Sequence, residues 1–253
     1  MSDLFSLSGK TALVTGASRG IGQALAVALA EAGADVVCAS TRRRGTDETA
    51  TAVRGIGRRA WQVEADLSDL DGPHALADAA FEAAGEIHIL VNNAGTIRRH
   101  PAVAFPLEDW QHVVQTNLTA VFQLCQHIGA PMLARGAGKI VNVASLLSFQ
   151  GGVTVPAYTA SKHGVAGLTK ALANEWAGQG VTVNAIAPGY IRTDNTAALQ
   201  ENETRNRQIL ERIPAGRWGE ASDLGGAAVF LASRASDYVT GTVVTVDGGW
   251  MAR

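Results

Sequence analysis

Seven short strands laid parallel in one doubly wound α/β sheet, with helices on both faces, form the fold class that this sequence predicts. Three observations predict it. Short β-branched runs alternate along the chain with longer Ala-rich stretches of helical period, the strand segments carry apolar runs more than strict alternation, and a glycine-rich turn joins the first run to the first helix. Strands covered on both faces lose the in–out alternation of half-exposed ones, and a repeating β–α order gives parallel pairing.

The predicted strands are TALVTG (11–16), ADVVCAS (34–40), RAWQVEAD (59–66), IHILVNNAG (87–95), GKIVNVAS (138–145), VTVNAIAPG (181–189) and TVVTVDGG (242–249). Helical periodicity marks 21–33, 72–85, 110–133 and 158–177, several of them stopping at glycine. A polar insertion at about 190–217 reads as one or two exposed helices before the last helix. No linker, repeat or low-complexity stretch interrupts the pattern, so 1–253 is expected to be a single domain.

Composition excludes several partners. The net charge of -2 lacks the basic excess of a nucleic-acid-binding face. Residues 140–161 carry no charge, but Asn142, Ser145, Ser148, Gln150 and Pro156 among them are foreign to a membrane span. The start MSDLFSLSGK has no basic segment followed by an apolar run, so no leader is expected. Cys38 and Cys125 both sit in apolar surroundings, which fits buried thiols and a reducing cytoplasm better than a disulfide. No metal site is expected.

In a doubly wound sheet ligands bind beyond the carboxyl ends of the strands. The first end is TGASRGIG (15–22), where Gly16 makes the turn, Gly20 permits close approach and Gly22 lets helix pack on sheet. Ser18, Arg19 and Ile21 complete this turn, and the helix N-terminus behind it offers free N–H groups to a pyrophosphate. The spacing is a variant of the dinucleotide fingerprint, and its setting between strand and helix makes the fold Rossmann-like. The second strand ends at Ser40, where an acidic residue would hold ribose hydroxyls, and Arg42, Arg43 and Arg44 follow. With Arg19 they favour a 2′-phosphate, hence NADP(H) over NAD(H); a solvated arginine loop is the open alternative. Asp66 and Leu67 end the third strand, where the carboxylate reads equally as an adenine ligand or a helix cap. Asn93, Ala94 and Gly95 end the fourth, where backbone can pass beneath a ribose.

Ser145 ends the fifth strand, thirteen residues before Tyr158, and the intervening loop lets the two face each other across the crevice. Lys10, Lys139, Lys162 and Lys170 are the lysines among 21 basic residues, and Lys162 stands one helical turn beyond Tyr158 on the same face. A neighbouring ammonium favours phenolate, so Lys162 is expected to lower the phenol's usual pKa of roughly 10.

These motifs, together with Asn117, Y-T-A-S-K at 158–162 and PG at 188–189, resemble the short-chain dehydrogenase/reductase family over essentially the whole chain. The resemblance implies a catalytic set of Asn117, Ser145, Tyr158 and Lys162 and a nicotinamide cofactor. In that set Tyr158 handles the proton, Lys162 also holds the nicotinamide ribose, Ser145 the substrate oxygen and Asn117 a water. It further implies that Pro188, Gly189, Ile191 and Thr193 close on the nicotinamide carboxamide, that 190–217 is the substrate lid, and that the protein is a homotetramer. Trp176, Trp250 and Arg253 are candidates for its interfaces, with a core role as the alternative for the tryptophans. GTIRRHPA, LLSFQGG, IAPGYIRTDNT, RIPAGRWG and VDGGWMAR resemble the sugar-acid branch of the family, which is associated with NAD. Arg98 and Arg99, Gln150 and Arg217 lie where they suit a carboxylate and polyol chain, with Arg98, Gln150 and Arg217 taken as the substrate set and subunit or surface contacts as the open alternative for the arginines. Reduction of another carbonyl, such as a 3-oxoacyl thioester, and a regulator that binds NAD(P) without turnover are the competing readings.

Overall fold

Side-chain alternation along each strand decides which helices cover it. In the computed structural model, which describes residues 3–42 and 44–253, the strands are β1 (Thr11–Thr15), β2 (Asp35–Ser40), β3 (Ala60–Glu64), β4 (Ile89–Asn92), β5 (Gly138–Val143), β6 (Val181–Pro188) and β7 (Val243–Val246). They form one sheet in the order β3-β2-β1-β4-β5-β6-β7, and every neighbouring pair is parallel. The order reverses between β1 and β4, which opens a crevice at their carboxyl ends.

The helices are α1 (Gly20–Glu31), α2 (Asp47–Gly55), α3 (Gly72–Ala84), α4 (Leu107–Val114), α5 (Ala120–Arg135), α6 (Pro156–Trp176), α7 (Ala197–Glu201), α8 (Glu203–Arg212) and α9 (Gly225–Ala232). On one face Val14, Val36, Val91 and Ile186 pack with Leu25 and Leu29 of α1 and Leu231 of α9. On the other Leu13, Val37, Leu90 and Ile140 pack with Leu76 of α3, Leu124 and Ile128 of α5 and Trp176 of α6. Successive strand residues therefore go to opposite cores, which is why the runs read as continuously apolar. Full burial of each such side chain stabilises the fold by roughly 1.5–3 kcal/mol.

Two features depart from the sequence reading, and two more settle alternatives that it left open. Helix α2 falls in DETATAVRG, whose apolar side chains are too few to show a stripe; Thr49, Ala50 and Val53 alone turn inward. The helix expected at 110–133 begins at Leu107 and is broken by a π-helical turn, Gln115–Thr119, before continuing as α5. The insertion does hold two helices, α7 and α8, the latter capped by Asn202, whose side chain accepts from the Arg205 N–H at 3.0 Å. Trp176 and Trp250, read as subunit contacts or core residues, are buried within their own chain at 7% and 6% exposure. Trp176 fills the space over Gly129, where a Cβ would meet its ring at 2.9 Å. Trp250 stacks under the Arg212 guanidinium at 4.0 Å from its ring centre. Arg253 stays exposed and donates to the Arg212 carbonyl at 3.2 Å and the Glu211 carbonyl at 2.6 Å. Cys38 and Cys125 are both free and buried, and burial pushes each thiol up to about 12.

Candidate active site

The glycine turn and the end of β4 are built as one piece. Gly16 sits at φ 63°, a left-handed conformation that glycine adopts without steric cost. A Cβ at Gly22 would lie 2.2 Å from the Gly16 carbonyl oxygen and 2.5 Å from Asn93 Nδ2. Asn93 Nδ2 donates to the carbonyls of Thr15 (2.9 Å) and Gly16 (3.2 Å). Thr15 Oγ1 in turn accepts the N–H groups of Asn93 (3.0 Å) and Ala94 (2.9 Å). Thr15 thus belongs to the site although only its neighbours stood out in the sequence. Helix α1 opens at Gly20 with no side-chain cap, so its first N–H groups face the crevice beside Ser18 and Ile21, free for a phosphate.

Around this turn, Arg19 Nε pairs with Asp194 Oδ2 at 2.8 Å, both side chains exposed. Thr193 stands 3.4 Å from the position that a Cβ on Gly20 would take. Thr193 and Thr196 form a capping box that starts the insertion. Ile191 is buried and pairs with Gly219, while Gly189 follows Pro188 so close to Asp247 that a Cβ would lie 2.6 Å from its Cα. A cavity of about 260 Å³ lies between the ends of β2 and β3, lined by Ser40, Arg42, Arg44, Thr46, Gln62, Val63 and Glu64. Arg43, expected here too, lies outside the described residues. Asp66 Oδ1 accepts from the N–H (2.9 Å) and hydroxyl (2.7 Å) of Ser68. Those bonds hold its carboxyl below the usual carboxylate range. These bonds close a turn on Ser68 and do not cap α3, which starts at Gly72 with Asp71 at its N-cap. Leu67 beside Asp66 is buried.

Ser145, Tyr158 and Lys162 converge at the end of β5. Ser145 is extended, with φ -165°, and its Oγ accepts the Leu147 N–H at 3.1 Å. Lys162 is buried, donates from Nζ to the Val143 carbonyl at 2.6 Å, and lies 5.7 Å from the centre of the Tyr158 ring. Ser148 Oγ donates to the Lys162 carbonyl at 2.7 Å, tying the turn after β5 to α6. Asn117 is buried in the π-helical turn. Its Oδ1 accepts the Thr96 N–H at 2.8 Å, and its Nδ2 donates to the Thr96 carbonyl at 2.9 Å and to Ser161 Oγ at 3.3 Å. Its amide is thereby spent on holding the turn after Gly95 against α6.

The electrostatics correct one expectation. Tyr158 keeps some surface open to the crevice, but its hydroxyl is densely surrounded by protein, and burial pushes its pKa up; the Ser145 hydroxyl and the Arg99 guanidinium offset part of this rise. The rise in the phenol pKa runs against the lowering expected from Lys162. Burial drives its own pKa down to about 8, and its ammonium is committed to a backbone carbonyl. Desolvation penalises the charged form of both groups at once.

The expected substrate set is redistributed. Arg217 is exposed and holds Asp223 through both nitrogens, at 2.7 and 3.0 Å. Gln150 donates to Met251 Sδ at 2.6 Å and accepts from Trp250 Nε1 at 3.3 Å. Arg98 pairs with Asp109 at 3.3 Å. Arg99 is exposed, and its charge is the one that favours the Tyr158 phenolate. The arginine pair after the fourth strand was the signal, and which member turns inward depends on contacts that the sequence does not display.

Fold and geometry together define a doubly wound protein built to take a dinucleotide beside a Ser–Tyr–Lys cluster. A family model described as enoyl-(acyl carrier protein) reductase matches residues 16–251. A 2-dehydro-3-deoxy-D-gluconate 5-dehydrogenase of Bacillus subtilis (strain 168) is 58% identical over 99% of this chain and 98% of its own length. A crystal structure of a gluconate 5-dehydrogenase from Burkholderia cenocepacia J2315, in complex with NADP and tartrate, is 41% identical with TM-score 0.95. It covers 99% of this chain and 98% of that one. A structure from Agrobacterium tumefaciens with bound NADP, proposed to be a 2-deoxy-D-gluconate 3-dehydrogenase, is 56% identical with TM-score 0.94 and covers 100% of both chains. The chain belongs to the short-chain dehydrogenase/reductase family.

Proposed function

We propose that this protein is a dehydrogenase that interconverts a secondary alcohol and a ketone on a sugar acid of the 2-dehydro-3-deoxygluconate or gluconate type, with NADP(H). The observation that carries this reading is the convergence of Ser145, Tyr158 and Lys162 beside the glycine turn, with the free guanidinium of Arg99 at their side. When bound, a nicotinamide cofactor supplies or accepts the hydride. Tyr158 gives or takes the proton at the substrate oxygen, Ser145 holds that oxygen, and Lys162 holds the ribose. Arg99 takes the carboxylate as a charge-assisted pair. Gly16, Gly20 and Gly22 leave room for the pyrophosphate at the uncapped start of α1, Asn93 to Gly95 for the ribose, and 188–193 for the carboxamide. Residues 190–217 act as the lid.

Arg42, Arg44 and Ser40 around the cavity beside β2 support NADP(H), in line with the NADP bound to the Agrobacterium and Burkholderia relatives. We further read the protein as a cytoplasmic homotetramer. Leu107, Trp110 and Phe122 on α4 and α5 supply exposed apolar surface, both thiols are reduced, and among the described residues no helix is long and apolar enough to cross a membrane.

Initial rates across a panel of sugar acids, keto acids and a 3-oxoacyl thioester, each with NADPH/NADP and NADH/NAD, test this reading. Turnover of a sugar acid with higher kcat/KM for the phosphorylated cofactor is expected. Preference for the thioester would overturn the substrate class, and tight cofactor binding without turnover on any compound would leave a regulator.

A further inference from the structure

Three consecutive basic residues, Arg98, Arg99 and His100, follow the turn after β4, and the fold treats the middle one differently from its neighbours. Asp109, in the first turn of α4, receives both flanking side chains. Arg98 Nε lies 3.3 Å from its Oδ1, and His100 Nε2 lies 2.7 Å from its Oδ2. Arg98 also donates from one terminal nitrogen to Thr96 Oγ1 at 3.3 Å and to the Ile97 carbonyl at 3.4 Å. The His100 N–H donates to the Thr154 carbonyl at 3.0 Å, and the His100 ring meets Phe105 edge-on at 5.3 Å between centres. Thr154 itself is held at φ 64°, a left-handed conformation that a β-branched residue adopts only when its surroundings impose it. Arg99, between these anchors, is exposed and has no ion pair or hydrogen bond among the described residues.

We propose that Asp109 is a positioning residue: by clamping Arg98 and His100 on either side, it aims the Arg99 guanidinium into the crevice and so sets the preference for carboxylated substrates. The proposal rests on the sugar-acid reading above. An arginine on a free loop would lose rotamer and backbone entropy on each binding event, and a clamp removes part of that cost beforehand. Small displacements of a positioning group far from the chemistry are felt strongly at the reacting atoms. The aspartate is also well placed at the start of α4, where the helix dipole favours a negative charge.

A double-mutant cycle tests the proposal on the full-length enzyme, using the sugar acid best turned over in the panel. Asp109→Ala and the isosteric Asp109→Asn are each made alone and with Arg99→Ala. KM and kcat are measured together with the NADPH dissociation constant by nicotinamide fluorescence. Asp109→Ala is expected to raise KM by about fivefold, the scale of a partly exposed ion pair, and by more than it lowers kcat, with cofactor binding unchanged. In the Arg99→Ala background the same substitution is expected to change KM by no more than about twofold, because the two residues act as one unit. Multiplication of the two KM effects in full, or a loss of cofactor binding alongside, would assign Asp109 a merely structural role and overturn the proposal. The Asn variant keeps the shape of the site should the Ala variant fold poorly. If Arg99→Ala raises KM while neither Asp109 variant does, the clamp is wrong and the sugar-acid reading stands. If Arg99→Ala changes nothing, the substrate assignment of Arg99 fails and the clamp with it.

Discussion

Tyr158→Phe is expected to fold, bind NADP(H) with ordinary affinity and lose about 10²–10⁴-fold in kcat, the usual contribution of a positioned acid–base group. The change removes one hydroxyl and leaves the ring in place on α6, 5.7 Å from Lys162 Nζ. Ser145 keeps its bond from the Leu147 N–H and Lys162 its bond to the Val143 carbonyl, so the walls of the site survive the substitution. Steady-state rates with wild type as reference, and a thermal melt to verify the fold, make the comparison. Activity within a factor of a few of wild type would remove Tyr158 from the proton transfer.

Gly22→Ala is expected to raise the NADP(H) dissociation constant by more than about tenfold while costing stability only moderately. The added Cβ would stand 2.2 Å from the Gly16 carbonyl oxygen and 2.5 Å from Asn93 Nδ2. Neither atom can yield cheaply. One is backbone in the phosphate turn, and the other is fixed by its bonds to Thr15 and Gly16. The turn must open, which displaces the N–H groups at the start of α1 that a pyrophosphate would meet. Overpacking of this kind costs about 1–3 kcal/mol, and each kcal/mol lowers Tm by about 2–4 °C in a chain of this size. Fluorescence titration checks the first expectation and calorimetry the second. An unchanged dissociation constant would separate this turn from cofactor binding.

Much of the frame was legible in residues alone because several levels of information agree there. The central strands show as apolar runs since they lie between two cores, as Leu13 and Val14 do on opposite faces, while the edge strands β3 and β7 are only partly buried. The glycine turn is legible because Gly16 and Gly22 answer to close contacts that other residues cannot make. Helix α2 was hidden by its polar surface. The π-helical turn at 115–119 left no periodic trace, since one inserted residue breaks no apolar pattern that was strong to begin with.

The harder failures were electrostatic and tertiary. Tyr158 and Lys162 were correctly placed one turn apart, but burial, which no spacing encodes, raises the one pKa and lowers the other. The cation offsetting the phenol's burial comes from Arg99, brought in by the turn after β4. Choosing Arg98 over Arg99 required knowing where Asp109 sits. Trp176 and Trp250 carried no mark in the sequence to distinguish a subunit contact from the space over Gly129 or beneath Arg212.

The functional reading stands on direct hydride transfer between nicotinamide and a sugar-acid carbon beside Tyr158. Reduced nicotinamide carrying deuterium at both positions of its hydride-donating carbon, incubated with the enzyme and the matching keto sugar acid, tests this most directly by product NMR. Deuterium on the newly formed carbinol carbon, formed about 10²–10⁴-fold more slowly with Tyr158→Phe, is the expected result; product that forms without label at that carbon would contradict it.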